Sequence, residues 1–374
     1  MKKKTICITG QNGFLGQHLY NTLKLHPEKY ILKDFDRTYF ENPKILMEVF
    51  SDCDVIIHLA ALNRHKDPKI IYNTNISVVK IIVSVLKEIK KKPHLIMSSS
   101  TQENLSNEYG KSKLEGRKIF SEWANNSKSC FTGMLIPNIY GPFCKPNYNS
   151  FISTFCKKIV KNEVPEIIVD NEIDLIFVSS LIDKFIQIID SSKNKHRYLV
   201  KRDIKIKVSE VLKKLIFLNS HYLCDGKIPE ILTKFDLNIF NTFRSYIDHA
   251  TYFPRKYTLN ADNRGSFVEL IRTEIGGQFS FSTTLPGITR GNHFHTRKIE
   301  RFSVIKGKAL IEIRKIGTKN KIKYILDGNE PSYVDMPIWY THNIKNIGNE
   351  TLITNFWINE PYDSKNPDTY MLTV

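Results

Sequence analysis

Through the first half of the chain, short apolar runs alternate with longer stretches in which apolar residues recur every three or four positions. The first kind, at Lys4–Thr9, Asp54–Leu59, His94–Ser98 and Thr132–Ile136, predicts strands. The second kind, at Gly16–Leu25, Ile76–Ile89 and Glu108–Ala124, predicts helices. Strands alternating with helices predict an α/β domain with a doubly wound parallel sheet. The nearly continuous apolar run Val55–Leu59 fits a strand covered on both faces. Val208–Phe217 reads as a further helix, and Leu232–His249 as a packing segment rich in Phe, Tyr and Asn. From about Phe253 the pattern changes. Ser303–Ile305, Ala309–Ile313, Tyr324–Leu326, Ser332–Asp335 and Leu352–Trp357 are short β-like runs, separated by turn signals such as Pro286-Gly287, Gly291-Asn292 and Asp327-Gly328. Many short strands with frequent turns predict an all-β barrel or jelly roll. The chain thus divides into domains at 1–248 and 249–374.

Composition adds bounds. A length of 374 residues calls for two cores rather than one. With 41% hydrophobic and 25% charged residues, the chain has a globular composition, and no apolar run looks long enough to span a bilayer. The apolar stretch after Lys2–Lys4 is interrupted by Gly10, Gln11 and Asn12, so it reads as a strand and not a signal peptide. The net charge of +17 is spread over scattered lysines without an aromatic-interleaved basic stripe. That favours a solvated surface over nucleic-acid binding and is compatible with a phosphate-bearing substrate. Six dispersed cysteines without a CxxC pair predict reduced thiols in a cytoplasm.

Gly10-x-x-Gly13-x-x-Gly16 follows the first strand and opens a helix. Glycines there permit a tight turn and close backbone approach to a pyrophosphate, which the helix N-terminus then attracts. This is the pattern of a Rossmann-type dinucleotide site, formed with Asn12, Phe14 and Leu15 inside the loop and Leu59 and Ala60 at the end of a neighbouring strand. Asp34 and Asp36 could bind the ribose 2′-hydroxyl of NADH, whereas Arg37 could pair with the 2′-phosphate of NADPH. His58 reads as a hydrogen-bonded core histidine.

Ser98-Ser99-Ser100 ends the next strand, and Tyr109 and Lys113 share one face of the helix that follows. An ammonium beside a phenol favours the phenolate, so this pair can exchange a proton with a substrate oxygen. The order along the chain resembles the extended short-chain dehydrogenase/reductase family over roughly residues 1–245. TGxxGxxG (Thr9–Gly16), HLAA (His58–Ala61), the serine triplet and YGKSK carry the resemblance. It implies nucleotide-sugar chemistry, Ser100 rather than Ser99 as the carbonyl-holding serine, and Asn75 as a structural asparagine. The gap from Ser100 to Tyr109 is shorter than the family's, which predicts a trimmed loop over the substrate.

The β-rich half carries a second constellation. His293 and His295 alternate along a strand and point to one side; Glu300 and the later His342 can return to the same cavity. Imidazoles with a carboxylate suit zinc, iron, nickel or manganese. Tyr340 is either an acid beside His342 or a packed barrel aromatic, and Lys298 is expected at the surface or on a substrate phosphate. This spacing resembles the cupin superfamily over about residues 255–374.

Reductase followed by cupin, with Cys144–Ser150, Asp262–Phe267, Pro286–His293 and Tyr340–Ile344, resembles the bifunctional enzymes of capsular polysaccharide synthesis. Thr296 stands where that family has another histidine. The resemblance implies a cupin that inverts C-3 of a UDP-linked 4-keto-6-deoxy N-acetyl sugar. It implies a reductase that then uses NADPH on the C-4 ketone to give the talose-configured sugar for N-acetyl-L-fucosamine. It also implies one divalent metal, zinc first, and a homodimer. The alternatives are a single-activity ketoreductase whose cupin serves binding or dimerisation, and a sensor that binds dinucleotide without turnover.

Overall fold

The computed structural model describes the chain except residues 1, 90, 258–259, 263–264, 268–277 and 361–362, and except the side chains of 260–262, 265–267 and 278–279. It separates into two compact units, Met1–Thr154 with Glu166–Val211, and Phe155–Pro165 with Leu212–Val374. Residues 212–248 therefore group with the β-rich half, where the sequence had put them with the reductase.

The first unit contains strands β1 (Lys4–Thr9), β2 (Tyr30–Lys33), β3 (Val55–His58), β4 (His94–Ser100), β5 (Phe131–Ile136), β6 (Asn138–Tyr140), β7 (Glu172–Phe177), β8 (Lys195–Leu199) and β9 (Ile204–Lys207). Six of them form a parallel sheet in the order β2-β1-β3-β4-β5-β8, and β6-β7-β9 form a small separate sheet. Alternate strand residues serve opposite faces. Cys7, Ile56, Leu95, Met97 and Phe131 join one apolar cluster. Ile6, Ile8, Ile57 and Ile96 are buried but lie outside that cluster, which accounts for the unbroken apolar runs.

Helices α1 (Phe14–Lys24), α2 (Pro43–Ser51), α3 (Pro68–Glu88) and α4 (Glu108–Ser127) link these strands. α2, α3 and α4 supply Phe50, Val79, Ile82, Phe120 and Trp123 to the cluster, while α1 packs with helix Val178–Ser191. α3 begins two turns before the sequence placed it, because Asp67 accepts from Lys69 N and Pro68 fits the first helical turn. It also corrects the bilayer expectation: by length and composition α3 could cross a membrane. Its apolar face, including Ile71, Val79, Ile82 and Leu86, is instead buried in the core.

The second unit holds β10 (Arg255–Lys256), β11 (Asn260–Asp262), β12 (Gly265–Phe267), β13 (Gln278–Thr284), β14 (Thr289–Phe294) and β15 (Glu300–Lys306). It continues with β16 (Lys308–Lys315), β17 (Lys321–Asp327), β18 (Ser332–Met336), β19 (Tyr340–Asn346), β20 (Leu352–Ile358) and β21 (Tyr370–Met371). Two antiparallel five-stranded sheets run β10-β18-β15-β20-β13 and β17-β16-β19-β14-β21. Val304, Val334 and Leu352 of one sheet share an apolar cluster with Ile311, Leu326 and Ile344 of the other, so the sheets pack face to face. The Asp262–Phe267 motif forms the β11-β12 pairing, with 263–264 outside the described residues.

The segment Leu212–Phe253 is tied to this unit by a buried polar network. Arg301 Nε and Nη2 donate to Asp335 at 2.7 and 3.1 Å, Tyr222 donates its hydroxyl to the same carboxylate, and Arg244 Nη2 donates to the Met336 carbonyl at 3.2 Å. The predicted packing segment contains helix Lys234–Arg244, opened by a reciprocal cap between Thr233 and Asp236.

Candidate active sites

The dinucleotide loop lies where strand order reverses, since β1 lies between β2 and β3. In open α/β sheets this crevice, at the carboxyl ends of the strands, takes the ligand. Gly10 has φ +78°, and a Cβ there would stand 2.8 Å from Ala60 N. A Cβ on Gly16 would meet the Gly10 carbonyl at 2.2 Å. The loop therefore packs too closely for side chains at Gly10 and Gly16, and Gly13 N closes it by donating to the Gly10 carbonyl at 3.0 Å. Gly13 precedes α1 with no side-chain cap, which leaves its first amides available to an anion.

The acidic residues after β2 are engaged within the protein. Asp34 accepts from the Tyr20 hydroxyl at 2.9 Å. Asp36 caps the following 3-10 turn, accepting from Thr38 N at 2.9 Å and Thr38 Oγ1 at 2.7 Å. Arg37, which opens that turn, is exposed. His58 is buried, pairs through Nδ1 with Thr9 Oγ1 at 2.8 Å, and is pushed down to about 3 by burial and then by Lys113. It is the core histidine the sequence suggested. Asn75 holds the chain after β3 against α4, bonding Leu62 N at 2.7 Å and Ser112 Oγ at 3.0 Å.

The three serines ending β4 have different partners. Ser98 Oγ donates to the His58 carbonyl at 3.3 Å. Ser99 donates to Glu103, which Arg117 grips through Nε at 2.8 Å and Nη2 at 2.7 Å. Ser100 Oγ accepts from Gln102 N at 3.1 Å, capping a single 3-10 turn at Thr101–Asn104. Accepting leaves its hydroxyl hydrogen for a ligand. The short gap before Tyr109 is thus this turn, packed so tightly that a Cβ on Gly110 would lie 2.1 Å from the Gln102 carbonyl. Nothing in the sequence singled out Glu103 or Arg117; their pairing joins the turn to a helix residue fourteen positions on.

Lys113 is buried, donates to the Ser98 carbonyl at 2.9 Å, and lies 5.6 Å from the centre of the Tyr109 ring. Burial pushes its ammonium down to about 8, with Glu103 partly opposing. Tyr109 is half-buried, and burial followed by Tyr148 raises its hydroxyl well above the ordinary value. The phenolate expected from the Tyr–Lys spacing is therefore not favoured: desolvation outweighs an ammonium directed at a backbone carbonyl.

In the β-rich unit, β14 and β19 are neighbours with His293 opposite His342, and Glu300 opens β15 in the facing sheet. One ligand atom from each of His293, His295, Glu300 and His342 lies within 4.8 Å of the others. The Glu300 Oε2 is 3.1 Å from His295 Nε2 and 3.2 Å from His342 Nε2, yet none of these three buried atoms completes a hydrogen bond. His295 Nδ1 donates to the Asp368 carbonyl and His342 Nδ1 faces the Tyr340 carbonyl at 3.3 Å. A carbonyl only accepts, so both histidines carry hydrogen on Nδ1 and turn Nε2 inward towards Glu300. Burial raises Glu300, but His295 and His342 outweigh it and hold the carboxyl well below its usual range. His293 is pushed down to about 4 by burial and the other two imidazoles, so it is neutral. Burial lowers His295, but Glu300 outweighs it and raises the imidazole, so an ion bound here would displace that proton; imidazole nitrogens freed of protons beside an ionised carboxylate are the donor set a divalent metal requires.

Tyr340 packs its ring on the apolar cluster and edge-on to His249 at 5.5 Å, and burial raises its hydroxyl to about 12. These surroundings support the packed-aromatic alternative. Lys298 is buried, not at the surface as expected, because the turn carrying it folds inward under Asp368.

Residues 6–200 match the model of the NAD dependent epimerase/dehydratase family, and residues 260–370 match the polysaccharide biosynthesis C-terminal domain. A UDP-2-acetamido-2,6-beta-L-arabino-hexul-4-ose reductase of Pseudomonas aeruginosa is 30% identical over 99% of this chain and 98% of its own. The crystal structure of the capsular polysaccharide assembling protein CapF from Staphylococcus aureus is 32% identical, with a TM-score of 0.64 over 99% of this chain and all of the other. RMD from Pseudomonas aeruginosa, solved with NADPH, shares the fold at 19% identity and a TM-score of 0.52 over 58% of this chain and 83% of its own. With these matches over the dinucleotide loop and the histidine cluster alike, the chain belongs to the NAD-dependent epimerase/dehydratase family, in the two-part form of CapF.

Proposed function

We propose that the chain is a bifunctional nucleotide-sugar enzyme of capsule or O-antigen synthesis. Its β-rich part, of cupin type, inverts C-3 of a UDP-2-acetamido-2,6-dideoxy-4-keto-hexose. Its dinucleotide-binding part reduces the C-4 ketone to the L-talose-configured product. The observation that carries this reading is the convergence of half-buried His293 with buried His295, Glu300 and His342 in a chain that also has the Ser100–Tyr109–Lys113 set. Gly10, Asn12, Gly13, Phe14, Leu15, Gly16, Arg37, Leu59 and Ala60 would hold NADPH, and the His/Glu cluster would hold one divalent metal, zinc in our reading. When bound, NADPH would supply the hydride and the metal would supply a Lewis acid.

The chain's own residues do the rest. Ser100 donates to the C-4 oxygen, and Tyr109, neutral and hydroxyl-bearing, delivers the proton that turns the reduced ketone into an alcohol. Lys113 orients this pair and the ribose from its seat on the Ser98 carbonyl. In the β-rich part, the 4-ketone acidifies the C-3 hydrogen; removal from one face and return to the other inverts the centre. With Asp34 and Asp36 engaged, exposed Arg37 favours NADPH over NADH.

The experiment is turnover of wild type and Tyr109→Phe with the UDP-linked 4-keto sugar and NADPH, products read by NMR. The reading expects a reduced, C-3-inverted sugar from wild type, and cofactor binding without NADPH oxidation from the variant. A reduced product with C-3 unchanged would leave only the ketoreductase; undiminished oxidation by Tyr109→Phe would remove the catalytic assignment.

A further inference from the structure

The turn joining His295 to Glu300 closes on a carboxylate from the far end of the chain. The side chain of Asp368 is completely buried. It accepts from three consecutive amides, Thr296 N at 3.1 Å, Arg297 N at 3.0 Å and Lys298 N at 3.0 Å, and from Thr296 Oγ1 at 2.6 Å. Successive amides turned onto one carboxylate form an anion nest, and this one is filled from within the protein. The residue itself has a left-handed φ of +44°, unusual outside glycine. Through that backbone its carbonyl meets His295 Nδ1 while its carboxylate meets the turn. Asn359 fixes the other end of the turn, accepting from Ile299 N at 2.9 Å. β21 begins two residues after Asp368 and pairs with β14, placing Met371 opposite His293.

We propose that Asp368 is a positioning residue of the metal centre. Its carboxylate sets the backbone that spaces His295 from Glu300, and its carbonyl fixes the His295 tautomer so that Nε2 faces the ion. The proposal rests on the metal reading above. It also assigns a role to Thr296, the departure noted in the sequence: its hydroxyl is one of the clamp's donors.

Cobalt(II) binding to metal-stripped, full-length protein tests this, with visible absorption reporting ligand geometry and competition with a chelator reporting affinity. Wild type is expected to bind one Co²⁺. Asp368→Asn keeps the shape but cannot accept from all four donors, and is expected to bind about 10–100-fold more weakly with altered bands. Thr296→Val removes one donor and keeps the rest, and is expected to lose about threefold, the scale of one ordinary hydrogen bond. It gives the answer should Asp368→Asn not fold. Wild-type affinity and spectrum in either folded variant would overturn the positioning role. Failure of wild type to bind Co²⁺ would overturn the metal reading and this proposal with it.

Discussion

Lys113→Met separates what this lysine does for the fold from what it does for chemistry. The ammonium is buried, and its ordinary value of 10.5 is pushed down to about 8, burial outweighing Glu103. A shift of that size makes the charged form cost about 3 kcal/mol in the folded state. The sign follows from proton counting. Below pH 8 the lysine is charged folded and unfolded, so the whole cost is present. Between about 8 and 10.5 the unfolded chain binds more protons, so stability rises with pH. Above that range the cost is gone. Methionine keeps the side-chain volume and removes the charge, but strands the Ser98 carbonyl, now bonded at 2.9 Å, at about 1 kcal/mol. The variant is therefore expected to be more stable than wild type by about 2 kcal/mol at pH 7 and less stable by about 1 kcal/mol near pH 11. Its NADPH oxidation should be lost throughout. Urea unfolding, read by proteolytic cleavage within α4 at several pH values, measures the difference. A stability difference that does not change between pH 7 and 11 would refute the reasoning, because no titrating cost would then exist at Lys113.

Three further outcomes follow from the two units. Gly10→Ala forces a Cβ to 2.8 Å from Ala60 N at a φ of +78°, and should weaken NADPH binding at least about tenfold in a fluorescence titration. Arg37→Ala should weaken NADPH by about tenfold and leave NADH nearly unchanged, the scale of one charge-assisted pairing in the same titration. Asp335→Asn leaves buried Arg301 without its full countercharge and should destabilise the β-rich unit by about 3–5 kcal/mol, measured as a lowered melting transition.

The sequence disclosed those elements whose signals are local. Thr9–Gly16 was readable because strand, glycines and helix follow one another, and Gly10 and Gly16 are required by backbone one strand or a few residues away. The HxH pair was read as alternating along a strand, but β14 ends at Phe294 and His295 follows it; His342, expected to return to the same cavity, is set opposite His293 by β-pairing. Asp368 was invisible because the turn it holds lies about seventy residues earlier, and the two are neighbours in the fold where β21 pairs with β14. Glu103 and Arg117 escaped for a related reason, since their effect is to occupy Ser99, and a serine triplet does not reveal which member is occupied. The Tyr–Lys spacing was read correctly as one helical face, but not its electrostatics. Burial, which periodicity does not report, raises the Tyr109 hydroxyl and lowers the Lys113 ammonium. The domain boundary moved for the same cause: Tyr222 and Arg244 reach Asp335 and Met336 only in the folded unit.

Two chemistries in one chain is the central claim, and isotope exchange tests it most directly. Tyr109→Phe, incubated with the UDP-linked 4-keto sugar in heavy water, should place one deuterium at C-3 without consuming NADPH, and His293→Ala in the same background should abolish that exchange. A C-3 position that stays fully protonated in the Tyr109→Phe protein, with its metal bound, would contradict the account.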